Sequence, residues 1–242
     1  MDIGRAFGFV FEDEEWVSKV LLGAAILLIP IFGGFALLGY SIAVLHNVMA
    51  DDPRPLPTWD NLGRYFTDGL MFWIVTVVYS LPFLIFICPM VVVWLPPALA
   101  GEQEELMNVL AGIAGVVSAG LGCLALLYGV LLGLLTPVVQ IRYAEAGEIG
   151  ACLRFGEVFR FLFAHIGPII VSQMLVWLAG MVIASVVGGV GGFLGIIPIC
   201  GWILAAALGL LMLPVSVWLM VFAGHLYGQI GRQARMATAP SF

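Results

Sequence analysis

Three histidines, His46, His165 and His225, are the side chains best suited to chemistry in this chain. With Asp51, Glu145 or Glu148 they supply the ligand types of a transition-metal site. Their spacing argues against one, because no HxxxH or HExxH pair sets two imidazoles on one helical face. An interfacial histidine hydrogen-bonded to backbone accounts for each. The run Glu12, Asp13, Glu14 and Glu15 has the charge to hold a cation. Acids ahead of an apolar run also complement the positive end of a helix dipole, and Trp16 beside them is an interface-anchoring type. Cys88, Cys123, Cys152 and Cys200 are scattered, with no CxxC or zinc spacing, and read as small apolar filler.

Nucleophile and phosphate motifs are missing as well. Ser80, Ser118, Ser172, Ser185 and Ser216 each sit alone in apolar context, outside any GxSxG, and read as groups that hydrogen-bond helix to helix. The glycines at 188–195 lack the GxxxxGK[ST] of a phosphate loop. No catalytic, cofactor-binding or metal-binding residue is expected, and the chain is not expected to be an enzyme.

The elements that carry these residues follow from composition. Of 242 residues, 62% are hydrophobic and 10% charged, whereas a soluble domain carries about 25% charge. This excludes a soluble enzyme, a nucleic-acid binder and a disordered chain, and leaves an integral membrane protein. Asp, Glu, Lys and Arg are absent from Val20 to Ala50, Gly69 to Gly101, Leu106 to Ile141 and Phe161 to Gly231. A crossing needs about 20 apolar residues. The last run therefore holds two helices, about 163–188 and 201–228, divided by the Gly/Pro turn of 188–201. The second reads as one helix over 68–95, bent at Pro82 and Pro89, with carbonyls freed by proline for neighbouring helices to satisfy. The third reads as one long helix over 106–140. The first run, interrupted by Pro30 and Gly33–Gly34, reads as a hairpin of helices 16–29 and 34–50, or else as one helix kinked at Pro30.

Charge sidedness favours the hairpin. With six crossings all nine Lys and Arg fall on one side with both termini, which the positive-inside rule makes cytoplasmic. Glu102, Glu104 and Glu105 occupy the one charged outer loop. The predicted architecture is all-α and polytopic: six transmembrane helices in three hairpins, with short interfacial amphipathic helices, in one membrane domain over 1–242.

Three segments resemble one another: Ile3-Gly4-Arg5-Ala6-Phe7, Leu62-Gly63-Arg64-Tyr65-Phe66 and Phe155-Gly156-Glu157-Val158-Phe159. They suit pseudo-repeats over 1–50, 58–142 and 150–230. Ile3, Phe7, Val10 and Phe11 fall on one helical face, and Trp59, Leu62, Phe66 and Leu70 on another. Both stripes suit helices lying in the headgroup plane. Thr58 is in place to cap the second. Small residues at Gly112, Gly115, Ala119, Gly129 and Gly133, and at Gly188 and Gly192, suit close helix packing.

Glu14–Trp16, Ile29–Pro30, Gly39–Tyr40, Pro57–Asp60 and Phe66–Gly69 resemble the pattern of an uncharacterised prokaryotic membrane family, domain of unknown function 4013. The resemblance is best over residues 1–85. It implies a multi-helix inner-membrane protein and brings no substrate or catalytic residue. The membrane domain of glycerophosphoryl diester phosphodiesterases is broadly similar at the level of a six-helix fold. The expected role is a non-enzymatic subunit or membrane-organising component of a larger assembly, the alternative a transporter or lipid-handling protein. Expected partners are membrane lipids and other membrane subunits, with no nucleic acid.

Overall fold

The computed structural model describes residues 1–99, 103–197 and 199–238. Glu102 and Pro198 lie outside the described residues. Among the described residues every regular element is a helix. The chain forms α1 (Ile3–Gly8), α2 (Trp16–Leu27), α3 (Phe32–Met49), α4 (Leu62–Ser80), α5 (Phe83–Val92), α6 (Leu95–Leu99), α7 (Glu104–Ala146), α8 (Ile149–Cys152), α9 (Phe155–Ala164), α10 (Ile166–Gly195) and α11 (Cys200–Thr238). Four of them, α3, α7, α10 and α11, are long and apolar enough to cross a membrane, and the bent pair Trp59–Ser80 and Phe83–Leu99 makes a fifth if counted as one span.

Two compact units result: Met1–Trp73 with Pro137–Phe242, and Ile74–Thr136. In the larger unit α3 is the most buried of the long apolar helices. Gly39 and Gly69 let α3 and α4 touch backbone to backbone: a Cβ on Gly39 would overlap the Tyr65 carbonyl, and one on Gly69 the Phe35 carbonyl. On its other side α3 meets α11. A Cβ on Gly224 would lie 2.7 Å from the Ser41 carbonyl oxygen, one on Gly228 2.7 Å from Val48 Cβ, and one on Gly231 2.7 Å from Met49 Sδ. Close approach of this kind replaces hydrophobic collapse as the source of helix association where the solvent is itself apolar. The small residues singled out in the sequence are placed differently. Gly188 and Gly192 face open space, and Gly112 and Ala119 are exposed.

Near Pro30 the chain breaks into two helices, and α2 has only 12 residues. The α2–α3 connection has a counterpart between α10 and α11. Ile29-Pro30-Ile31-Phe32-Gly33 and Ile197-Pro198-Ile199-Cys200-Gly201 have the same spacing. Ile31 and Ile199 both take positive φ, 68° and 64°. A Cβ on Gly33 would overlap the Ile26 carbonyl, and one on Gly201 the Leu194 carbonyl, seven residues back in each case. The amide of Gly33 donates to Ile29 O at 2.9 Å, and that of Gly201 to Ile197 O at 3.1 Å.

Other elements depart from expectation. The glycines of 188–195 complete α10 instead of forming a turn. Each costs about 1 kcal/mol of helix propensity, but a helix satisfies every backbone group internally and wins in an apolar setting. The stripe after Pro57 is no separate in-plane helix, because it runs straight into α4. Thr58 holds the cap position, yet its hydroxyl bonds Asp60 Oδ2 at 2.6 Å and not the backbone. The N-terminal stripe is out of phase: Ala6, Phe9 and Val10 are buried, whereas Ile3, Phe7 and Phe11 are exposed. The cause is the change from α to 3-10 geometry at Gly8–Phe9.

In the smaller unit the chain bends by 55° between Ser80 and Phe83. The helix breaks at Pro82, and the carbonyl of Tyr79 in the last turn of α4 accepts from the Tyr128 hydroxyl at 2.6 Å. Trp94 Nε1 donates to Ser118 Oγ at 2.9 Å, tying α7 to the short segment before α6.

Candidate functional site

The polar side chains of the larger unit gather around the C-terminal ends of α3 and α11. His225, Gln229, Arg232 and Gln233 recur on α11 at helical spacing. They line a cavity of about 540 Å³ together with Asp2, Arg5, Asp51 and Asp52. Gln229 holds the backbone of Asp2 from both sides. Its Oε1 accepts the Asp2 amide at 2.7 Å, and its Nε2 donates to the Asp2 carbonyl at 2.9 Å. The same Nε2 lies 3.1 Å from His225 Nδ1, which makes Nδ1 an acceptor and assigns the ring proton to Nε2. Phe9 stacks on the imidazole at 4.2 Å. Arg232 pairs with Asp51 across the cavity, and Asp2 Oδ1 caps α1 by accepting the Arg5 amide at 2.9 Å.

The cavity therefore presents three carboxylates and two guanidiniums around one imidazole whose Nδ1 is already engaged. Charges of both signs side by side suit a small polar or zwitterionic group. A second cavity, about 280 Å³, lies on the other side of α3 and is lined by His46, Asn61, Arg64, Asp68 and Tyr143. His165 stands apart at the α9–α10 break, its Nδ1 3.2 Å from the Phe161 carbonyl. The three histidines occupy three different places. Among the described residues no three His, Cys, Asp or Glu come together to hold a metal ion.

Between the cavities runs the loop 50–58, and its carbonyls are held one by one. Asn47 Nδ2 donates to Pro55 O at 3.1 Å, Lys19 Nζ to Leu56 O at 3.2 Å, Tyr40 Oη to Pro57 O at 2.8 Å and Tyr65 Oη to Thr58 O at 2.8 Å. Proline lacks an N–H, so Pro55 and Pro57 cannot build a regular ladder, and side chains from three helices take its place. Trp59 closes the arrangement, stacked on Tyr40 at 4.1 Å with its Nε1 donating to Lys19 O at 2.8 Å.

Two features went unread in the sequence. Asp13 is more than a dipole partner: it is buried, 2.7 Å from Lys19 Nζ, and accepts the Glu15 amide at 2.8 Å. Burial alone would raise its carboxyl. The hydrogen bonds from Lys19 and Glu15 and the charges of Lys19 and Arg54 outweigh that and hold it below the ordinary carboxylate value. The second feature is a chain of ion pairs. Arg142 reaches Glu145 and Glu157, Arg154 reaches Glu157, and Arg235 reaches Glu145, at 3.2–3.9 Å. It joins α7, α9 and α11.

Cys152 is fully buried. Desolvation pushes its thiol up to about 11, against the opposing charge of Arg142, and its Sγ donates to Val139 O at 3.7 Å. The serines Ser80, Ser172 and Ser216 bond carbonyls of their own helices, Thr76, Ile169 and Met212, and only Ser118 of the four bonds across to another segment.

A family model described as "Protein of unknown function (DUF4013)" matches residues 22–196. The chain belongs to that family. No curated protein and no solved structure matches it at a significant level.

Proposed function

We propose that this DUF4013 protein is a multi-pass membrane protein and a non-catalytic subunit or organiser of a larger membrane assembly. The observation that carries the reading is the bareness of its long helices. The most apolar windows of α10 and α11 are 17% and 6% buried within the chain. Trp177, Trp202, Ile203 and Leu211 are among the exposed residues. Surfaces of this kind are stable only against lipid or other apolar helices.

The positive-inside rule then places the Arg-rich ends, with both termini, on the cytoplasmic side of the cell membrane. An even number of crossings is required for that. Six would need α2 to span by itself, and its 12 residues rise only about 18 Å.

A second reading, lipid handling, is favoured by the 540 Å³ cavity, because carboxylates beside guanidiniums suit a zwitterionic headgroup. Purification in a mild detergent separates the two. Stoichiometric partner polypeptides support the assembly role. A chain that purifies alone with bound phospholipid, lost on Arg232→Ala, supports lipid handling instead.

A further inference from the structure

The two Ile-Pro-Ile-x-Gly turns do not reach the same height. The glycine contacts of α11 fix its register against α3, pairing Ser41 with Gly224, Val48 with Gly228 and Met49 with Gly231. Extending that register along the two parallel helices sets Phe32, the first residue of α3, level with about Met212–Val215 of α11. Helix α2 gives an independent check: a Cβ on Gly23, one turn before the end of α2, would lie 3.2 Å from the Val217 side chain. α11 begins at Cys200. Roughly twelve to fifteen of its residues, about 20 Å of helix, therefore extend past the α2–α3 turn before the α10–α11 turn is reached.

Charge placement agrees. Lys19 is tied to Asp13 and Leu56 in the polar layer, and only eight residues, about 12 Å, separate it from Leu27 at the end of α2. A bilayer's hydrocarbon is about 30 Å thick. If the α10–α11 turn marks the far face, the α2–α3 turn stops inside the hydrocarbon.

The chemistry of the turn suits that place. Leu28, Ile29 and Ile31 are 60%, 50% and 79% exposed, which in water would be a costly apolar tip. Apart from the Ile31 amide, the N–H groups of the tip close on the backbone itself. The amides of Leu28, Ile29, Phe32 and Gly33 donate to Ala25, Ile26, Pro30 and Ile29, and Pro30 has no N–H to satisfy. In lipid, exposed backbone groups without partners are not tolerated. Isoleucine at positive φ carries strain that glycine would avoid. Its side chain covers the turn with hydrocarbon, which a glycine would not.

We propose that α2 and α3 form a re-entrant hairpin. It enters from the cytoplasmic side, its tip at Leu28–Ile31 contacts acyl chains within the bilayer, and it leaves by the same face. The first Ile-Pro-Ile-x-Gly turn is thus a lipid-contacting tip, and the second a turn at the outer face. The proposal rests on the membrane-spanning reading and changes the crossings to four, α4 with α5–α6, α7, α10 and α11, with both termini still on one side.

Spin labels measure the depths directly. In a background with the four cysteines replaced, Ile31→Cys, Ile29→Cys and Ile199→Cys are each labelled with a nitroxide in the full chain. Reconstituted in phosphatidylcholine–phosphatidylglycerol vesicles, they are compared by their collision rates with oxygen and with a water-soluble nickel chelate. The expected result puts the Ile31 and Ile29 labels about 12 Å below the nearer face, rich in oxygen collisions and shielded from nickel, and the Ile199 label at the surface. Equal depths for the two turns overturn the re-entrant hairpin while leaving the membrane reading intact. Nickel access at all three positions overturns the membrane reading itself. If Ile31→Cys disturbs folding, Ile29→Cys carries the comparison.

Discussion

The Lys19 ammonium lies 2.7 Å from the Asp13 carboxylate, and about nine-tenths of each side chain is out of contact with solvent. The pair staples the segment before α2 to α2 itself. Through the Lys19 bond to Leu56 O it also staples the loop 50–58. Removing one partner leaves the other buried and uncompensated, which costs about 3 kcal/mol or more. Asp13→Asn and Lys19→Met should each lower unfolding stability in detergent by that order, and the double variant should cost less than the two together. Because the Asp13 carboxyl is held low in the fold, its contribution is complete above about pH 5 and is lost as pH falls through the unfolded value near ~3.9 and then the folded value. The wild-type melting temperature should therefore drop across that window more steeply than that of Asp13→Asn. Parallel curves would show that the pair carries no pH-dependent stability.

The Tyr40 hydroxyl supports the loop at Pro57 O, and Trp59 supports it by stacking. Tyr40→Phe keeps the stack and orphans one carbonyl, a loss of about 1–2 kcal/mol. Trp59→Ala removes the stack, the bond to Lys19 O and a large buried surface, a loss of about 3–5 kcal/mol. Hydrogen exchange checks both: the amides of Asp52, Arg54, Leu56 and Thr58 and of the first turn of α4 should exchange faster in Trp59→Ala than in Tyr40→Phe. Equal rates would mean that Trp59 does not hold the loop.

How much of this was legible follows from which forces act locally. Charge-free runs and Pro/Gly breaks are local, so the helices were placed to within a few residues in most cases. The break at Pro30 was legible, but the depth of its turn was not, because depth depends on how Gly224, Gly228 and Gly231 register α11 against α3. Gly188 and Gly192 have the spacing of a packing face, as Gly224 and Gly228 do. Nothing in the spacing says which pair finds a partner. The histidines show the same limit. The sequence shows that they lack a ligand motif, yet the clasp of Gln229 on Asp2 joins residues 227 positions apart and leaves no local trace. The prolines at 55 and 57 were a usable signal, since carbonyls next to residues without N–H groups call for donors from elsewhere.

Gly39 and Gly69 carry the α3–α4 contact. Alanine at either would drive a methyl group into a carbonyl, and two packed helices can relieve that only by moving apart. Overpacking of this kind costs about 1–3 kcal/mol or more. Gly39→Ala and Gly69→Ala should lower the melting temperature in detergent and the yield of folded protein. Gly188→Ala is the control: its Cβ meets nothing, and alanine gains about 0.5–1 kcal/mol over glycine inside a helix. A destabilising Gly188→Ala would mean that this face is packed against something in the membrane.

Asp51 ends α3 in a way that separates two effects. It takes φ of 59°, the amide of Asp51 donates to Val48 O at 3.2 Å, and that of Asp52 to Asn47 O at 3.0 Å. This is a Schellman motif with aspartate at the position glycine usually takes. The same carboxylate pairs with Arg232 at the mouth of the larger cavity. Asp51→Gly removes backbone strain of about 1 kcal/mol together with a largely exposed ion pair of about 0–1 kcal/mol, so it should be close to neutral in stability. Asp51→Ala loses the pair and keeps the strain, and should fall below wild type by up to about 1 kcal/mol. Asp51→Val adds β-branching at positive φ and should be the least stable of the three. Thermal unfolding of the series in one detergent checks the order Gly, Ala, Val. If Ala matches Gly while Arg232→Ala is strongly destabilising, the ion pair and not the helix end sets the stability of this corner.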